Sequence, residues 1–250
     1  MKNKYRILKI FMTVLSLVFL LCFSLNRFGE QEQKLKIHFS DDIPIFFIND
    51  SIIKHVVKKN NPSNKIKKIN IGETERKIKE LPSVEYVNVY LELNGTLNVE
   101  IKQKIPVMRI NNSDNQYYVD DMGNEFPLSK EYSHPCILVS GKIPAEDYAN
   151  LAILINKIKK DDLYKNYFIG ISKFNEDYML LTNDGYFKIQ FGNLENIDIK
   201  LMGLKVFIEK YLYNKNHNIY KQISVKYNGQ IVATLRKGVG GSRQNNYVQN

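Results

Sequence analysis

The side chains in this chain that would first be asked to do chemistry are four histidines, two cysteines and three pairs of adjacent aspartates. His38, His55, His134 and His217 could act as general acids or metal ligands, but they lie far apart with no ligand spacing between them. No Cys-x-x-Cys or Cys/His cluster suggests zinc. Asp41-Asp42, Asp120-Asp121 and Asp161-Asp162 read as turns and a helix end, not as carboxylates flanking a substrate. Neither a Gly-rich phosphate loop nor a nucleophile elbow occurs. Asn49-Asp50-Ser51, Asn94-Gly95-Thr96 and Asn111-Asn112-Ser113 satisfy the glycosylation sequon, which would suit a single-pass type II membrane enzyme such as a luminal glycosyltransferase. An Asn-rich chain produces such tripeptides by chance, and Asn94 already has a turn to make. The inventory therefore points away from catalysis, and no catalytic, metal or cofactor-binding residue is assigned.

The elements that would carry any site begin with a span. Ile7 to Leu25 contains one charged residue, Lys9, and as a helix reaches about 28 Å, enough to cross a hydrocarbon core. Lys2, Lys4, Arg6 and Lys9 precede or enter it with no acidic residue, so residues 1–6 are expected in the cytoplasm and everything after Asn26 outside it. The stretch Ser24-Leu25-Asn26-Arg27-Phe28-Gly29 lacks a small-x-small cleavage pattern, which favours an uncleaved anchor over a signal peptide.

Setting aside the four basic residues Lys2, Lys4, Arg6 and Lys9 takes the net charge from +10 to +6, spread through segments such as Lys65–Lys68 and the mixed-sign Lys157–Asp162. A nucleic-acid protein would gather such charge on one face with a recognisable motif; a solvated face near an anionic membrane fits better. Cys22 lies in the span and Cys136 outside it, so they cannot pair within one chain and the fold must rest on its core.

Leu81 to Pro106 encodes a half-buried hairpin. Val87, Val89, Leu91 and Leu93 alternate with polar residues, as do Leu97, Val99 and Ile101. A two-residue Asn94-Gly95 turn would put the two apolar sets on opposite faces. A three-residue loop, Leu93-Asn94-Gly95, with Gly95 left-handed in a bulge, pairs Leu91 with Leu97, Val89 with Val99 and Val87 with Ile101.

Before this hairpin, a strand is expected at Leu35–Phe39, then a helix capped by Asn49-Asp50-Ser51 with Ile52, Ile53, Val56 and Val57 on one face, then a second helix ending at Pro82. The result is a small α+β unit with helices on one face of three strands. Beyond Met108, strands are expected around Tyr117–Val119, Glu125-Phe126, Ile137–Val139, Phe168–Phe174, Tyr178–Thr182 and Tyr186–Phe191. A helix carries Tyr148, Leu151, Ala152, Ile155 and Ile158 on one face, and another carries Ile197, Leu201, Leu204, Ile208 and Leu212. A last hairpin, Tyr220–Tyr227 and Gln230–Leu235, precedes a Gly-, Asn- and Gln-rich tail that reads as disordered.

Three stretches together resemble the FtsQ/DivIB family of bacterial cell-division proteins. Leu81-Pro82-Ser83-Val84-Glu85-Tyr86-Val87 is similar to the start of the family's POTRA-domain hairpin. Gly95 to Ile101 followed by Gln103-Lys104-Ile105-Pro106-Val107 is similar to its second strand and exit. Tyr117 to Pro127 resembles the "valine, aspartate, x, x, glycine, x, x, phenylalanine" opening of its β domain. The chain departs from the pattern in having no Trp, so that Leu93-Asn94 replaces a usual tryptophan-proline, and in placing Lys104 where arginine is usual.

The resemblance implies an α+β architecture: a transmembrane helix over 7–25, a POTRA-like domain over 35–106, a mixed antiparallel β domain with flanking helices over 107–237, and a disordered tail over 238–250. It implies a non-catalytic scaffold in the cell inner membrane at the division septum, without cofactor, nucleic acid or small-molecule substrate. Its partners would be FtsB- and FtsL-like divisome proteins, with septal peptidoglycan synthases as further candidates. In the family an FtsB segment adds a strand at the last strand of the β domain, near a motif whose positions here are Ser224, Val225, Lys226 and Tyr227. Strand addition uses unpaired main-chain groups at an edge, and alternate side chains set specificity: Val225 and Tyr227, or Ile231, Ala233 and Leu235 on the other strand. Tyr227 serves equally well as a cross-strand aromatic. The competing reading as another POTRA-containing export adaptor would call for tandem units or a C-terminal barrel, and neither is visible here.

Overall fold

The computed structural model describes residues 2–40, 46–112, 115–130, 132–212, 219–227, 229–236 and 247–249. His217 and Asp41-Asp42 lie outside these residues, as do 238–246 and 250 of the expected tail. The chain divides into two compact units, Met1–Lys104 and Ile105–Asn250.

Unit 1 opens with helix α1, Lys2–Gly29, whose stretch Tyr5–Gly29 is long and apolar enough to cross a membrane and whose most apolar part is not buried against protein. A three-stranded sheet follows, ordered β1-β3-β2, from β1 (Lys34–Phe39), β2 (Val84–Leu91) and β3 (Thr96–Gln103). Strands β2 and β3 pair antiparallel with Val87 opposite Ile101, Val89 opposite Val99 and Leu91 opposite Leu97, the register required by the apolar pattern. Gly95 sits at φ +82°, and the Glu92 N–H donates to Thr96 O at 2.9 Å, closing the three-residue loop with its left-handed bulge. Helices α2 (Asp50–Asn60) and α3 (Ile71–Lys79) supply buried Ile53, Val57, Thr74 and Ile78. Asn49 caps α2 by accepting the Ile52 N–H, and Asn70 caps α3 by accepting the Glu73 N–H. Asn61 joins the two helices: its side-chain amide donates to Thr74 Oγ1 at 2.8 Å and its carbonyl accepts the Asn70 N–H at 2.8 Å. A buried amide is tolerated there because it is paired.

Unit 2 is built on one ten-stranded sheet. Its strands are β4 (Met108–Asn111), β5 (Gln116–Val119), β6 (Glu125–Pro127), β7 (Ile137–Ser140), β8 (Phe168–Phe174), β9 (Asp177–Thr182), β10 (Lys188–Gly192), β11 (Tyr220–Ser224), β12 (Gln230–Leu235) and β13 (Tyr247–Gln249). The order across the sheet is β13-β12-β11-β10-β9-β8-β7-β4-β5-β6. Helices α4 (Tyr148–Lys160) and α5 (Ile197–Phe207) bury the apolar faces expected of them, and α5 runs into a π-helical turn, Ile208–Leu212. Hairpin neighbours are antiparallel, whereas β4 with β7, β7 with β8 and β10 with β11 are parallel. The last two parallel pairs are each joined by a crossover carrying a helix, α4 or α5, as a parallel connection requires. β13 forms where composition suggests disorder, and pairs antiparallel with β12.

Candidate functional site

The last hairpin and α5 form the most informative surface of unit 2. β11 is an interior strand: Ser224 lies opposite Gln190 of β10 on one side and Val232 of β12 on the other. The Val225 N–H donates to Gln190 O at 2.9 Å, and Ser224 and Val225 are both buried. The main chain of these two residues is therefore already used within the sheet. Lys226 bends back to Asp177 at 2.9 Å, while Tyr227 projects outward, 54% exposed, at the hairpin turn.

Space for Lys226 comes from Gly192. The β10–β9 register shifts there, the backbone takes φ +80°, and a Cβ on Gly192 would stand 2.8 Å from Lys226 Cγ. The resulting polar run is continuous: Gln222 donates to Gln190, Gln190 donates to Asp177 at 2.6 Å, and Lys226 donates to Asp177. Burial pushes the Asp177 carboxyl up, but the Lys226 and Gln190 hydrogen bonds outweigh it and hold the group below its ordinary range. The same bond holds the Lys226 ammonium above its own. Lys200 of α5 is buried, gives two 2.8 Å hydrogen bonds to the carbonyl and side-chain oxygens of Asn193, and lies over the Phe191 ring; burial depresses its pKa. These groups hold one another and leave the nearby surface apolar.

That surface is a groove of about 150 Å³ between α5 and the hairpin, lined by Ile199, Met202, Val206, Tyr227 and Ile231 among others. Gly203 faces Ile231: a Cβ there would lie 3.8 Å from its Cδ1, in ordinary contact. Ile231 and Ala233 pack partly against the core, and Leu235 is 39% exposed near the far end of β12. The outer edge of β12 carries β13, with Ile231 opposite Val248. Reading α5 by its buried face alone overlooks Ile199, Met202 and Val206. Their spacing of three and four marks a second apolar stripe, and that was the available signal.

The residues first considered for chemistry stay dispersed. Among the described residues no three of His, Cys, Asp and Glu could hold a metal ion. Asp120 accepts the N–H groups of Met122 and Asn124 in a turn, and Asp161 accepts those of Leu163 and Tyr164 at a helix end. The Cys136 thiol is pushed up to about 11 by burial, which favours the thiol over the thiolate.

The fold thus defines a protein with one apolar N-terminal helix of membrane-spanning length, a small α+β unit, and a second unit whose long mixed sheet ends beside an apolar groove. The family model described as FtsQ/DivIB, C-terminal related, matches residues 105–234. The chain belongs to this family, a group of non-enzymatic cell-division proteins. Among solved structures, the major extracytoplasmic domain of the trans isomer of the bacterial cell division protein DivIB from Geobacillus stearothermophilus overlays with 11% identity. The overlay covers 46% of this chain and 98% of that one, with a TM-score of 0.32. At that score the overlay is loose, and the assignment rests on the sequence match. No curated protein matches the chain.

Proposed function

We propose that this chain is a bitopic scaffold of the divisome, anchored by α1 with its basic N-terminus in the cytoplasm and its two units, a POTRA-like domain and a β domain, on the outer side of the inner membrane at the septum. Family membership supports the division role, and the lysines and arginine ahead of the apolar run support the orientation. The scaffold recruits FtsB- and FtsL-like proteins, and through them septal peptidoglycan synthases, by accepting a partner strand along β12.

The observation that carries this reading is the outer edge of β12 itself. Among the described residues it pairs antiparallel with three residues of another segment, β13, beside an apolar groove open to solvent. A partner strand taking the place of β13 would gain main-chain hydrogen bonds along the edge and could lodge apolar side chains against Met202, Tyr227 and Ile231. Tyr227 and Leu235 would meet it directly. Ile231 and Ala233 would shape the groove from behind, while Ser224, Val225 and Lys226 would hold the hairpin in position.

Capture of septal proteins from membrane extract by the full-length chain tests this. Tyr227→Ala and Met202→Asp change exposed groove residues and leave the core intact, and each should weaken capture of FtsB- and FtsL-like proteins roughly tenfold, as expected for a central anchor. Undiminished capture by both folded variants would move the contact elsewhere. Val225→Pro would test the sheet rather than the edge, because the Val225 N–H is bonded to Gln190 and its loss would damage the sheet.

A further inference from the structure

Helix α1 joins unit 1 without a linker. The Gln31 N–H donates to Phe28 O, the Ile66 N–H to Gln31 O at 3.1 Å, the Gln33 N–H to Asn64 O at 2.9 Å, and the Lys34 N–H to Gly95 O, so the chain is tied down from the last helical turn into β1. Glu30 is ion-paired with both Lys65 and Lys67. At Gly29 a Cβ would fall 2.9 Å from Lys67 Cβ, and at Gly95 one would fall 2.7 Å from Ile66 and 3.9 Å from the Phe28 ring. The β2–β3 hairpin turn and the 3-10 turn Ile66–Lys68 therefore rest on the end of the helix.

This contact fixes depth. Phe28 is three residues, or about 4.5 Å, beyond Leu25, where the apolar stretch ends, and the headgroup layer on each side of a bilayer is roughly 5–8 Å thick. Whatever packs on Phe28 stands among headgroups. At that level the tip of the hairpin carries Leu93, 97% exposed, the most exposed large apolar residue described. The segments that meet at the end of the helix carry Arg27, Lys34, Lys65, Lys67 and Lys68 against the carboxylates Glu30, Glu32 and Glu92, a set that stays net positive. Leucine at a hairpin tip is favourable at the boundary between headgroups and acyl chains, and nearby cations favour anionic phosphates.

We infer that the membrane-facing end of unit 1 is a lipid-binding rim, in which Leu93 inserts into the leaflet that α1 leaves while Arg27 and Lys68 contact anionic phospholipid headgroups. The inference rests on α1 being a retained membrane span, but not on which side of the membrane the units occupy. Its effect is to hold unit 1 at fixed height and limited tilt.

The absence of tryptophan allows a direct test. Full-length Leu93→Trp, Phe19→Trp and Tyr86→Trp variants are reconstituted separately in vesicles of phosphatidylcholine and phosphatidylglycerol bearing brominated acyl chains. Leu93→Trp should lose intensity and shift to the blue, more so as the phosphatidylglycerol fraction rises, and Arg27→Glu with Lys68→Glu should remove that dependence. Tyr86→Trp, an exposed position at the other end of β2, should stay unquenched. Quenching at Phe19→Trp without quenching at Leu93→Trp overturns the inference and leaves the anchor standing. No quenching at Phe19→Trp overturns the anchor and the inference together. Equal quenching at Leu93→Trp and Tyr86→Trp overturns the tip as the contact and means that the whole unit lies on the membrane.

Discussion

At the outer edge of β2, in unit 1, side chains meet the unpaired main chain: Glu75 of α3 accepts the Val89 N–H at 3.1 Å, and Lys79 donates to the Glu85 carbonyl. At the outer edge of β12, in unit 2, it is met by main chain, the three residues of β13. A carboxylate fixed on the neighbouring helix covers an edge without offering it to another chain, because a strand would first have to displace a charged acceptor. A short strand at the end of a Gly-rich segment covers an edge in a way that any other strand can copy. The first edge is covered by side chains of its own unit; the second, in the proposed function, exchanges its strand for a partner's. That difference, rather than the length of either sheet, separates the structural edge from the proposed binding edge.

The largest expected effect comes from breaking the geometry that defines the closed edge. Gly95→Val forces a β-branched residue to φ +82° and drives its Cβ into Ile66, which should cost about 2–4 kcal/mol and appear as a clear drop in the thermal midpoint of the detergent-solubilised chain. An unchanged midpoint would mean that the loop readily adopts another turn. A smaller effect is expected from Glu75→Ala, which leaves the Val89 N–H without its acceptor. About 1–2 kcal/mol of stability should be lost, and hydrogen exchange at the Val89 amide should accelerate. If Val89 stays protected, Glu75 is not what closes that edge. Deleting residues 237–250 should change stability least, by less than about 1 kcal/mol, because a short terminal strand frays readily. Capture of a strand-forming partner should nevertheless rise by roughly threefold to tenfold, since an edge partly occupied by its own chain binds in proportion to the free fraction. Equal capture with and without the tail would show that β13 does not compete, and the contrast between the two edges would lose its functional meaning.

Much of unit 1 was legible because its information is local. The alternation of Val87, Val89 and Leu91 with Leu97, Val99 and Ile101 admits one register, and Gly95 admits one loop, so pairing and bulge follow from sterics and period alone. The buried faces of α4 and α5 were equally readable from helical spacing, as was the apolar run of α1; of the four apolar residues expected on one face of α2, only Ile53 and Val57 are buried, while Ile52 is exposed, because the sheet covers a narrower stripe of that helix. The candidate site was only half legible. Tyr227 and the hairpin could be named, but Ser224 and Val225 look like any alternating strand residues until β10 is placed beside them.

The sequence by itself determined where the apolar faces lie, where the chain must turn, and that one segment is long and apolar enough to span a membrane, because those properties depend on residues a few positions apart. Only the tertiary structure decided which strands are interior and which are edges, that α5 and β12 leave a groove between them, and that the hairpin tip rests on the end of α1. These depend on parallel crossovers and on contacts between residues such as Phe28, Ile66 and Gly95, whose separation along the chain carries no local signal.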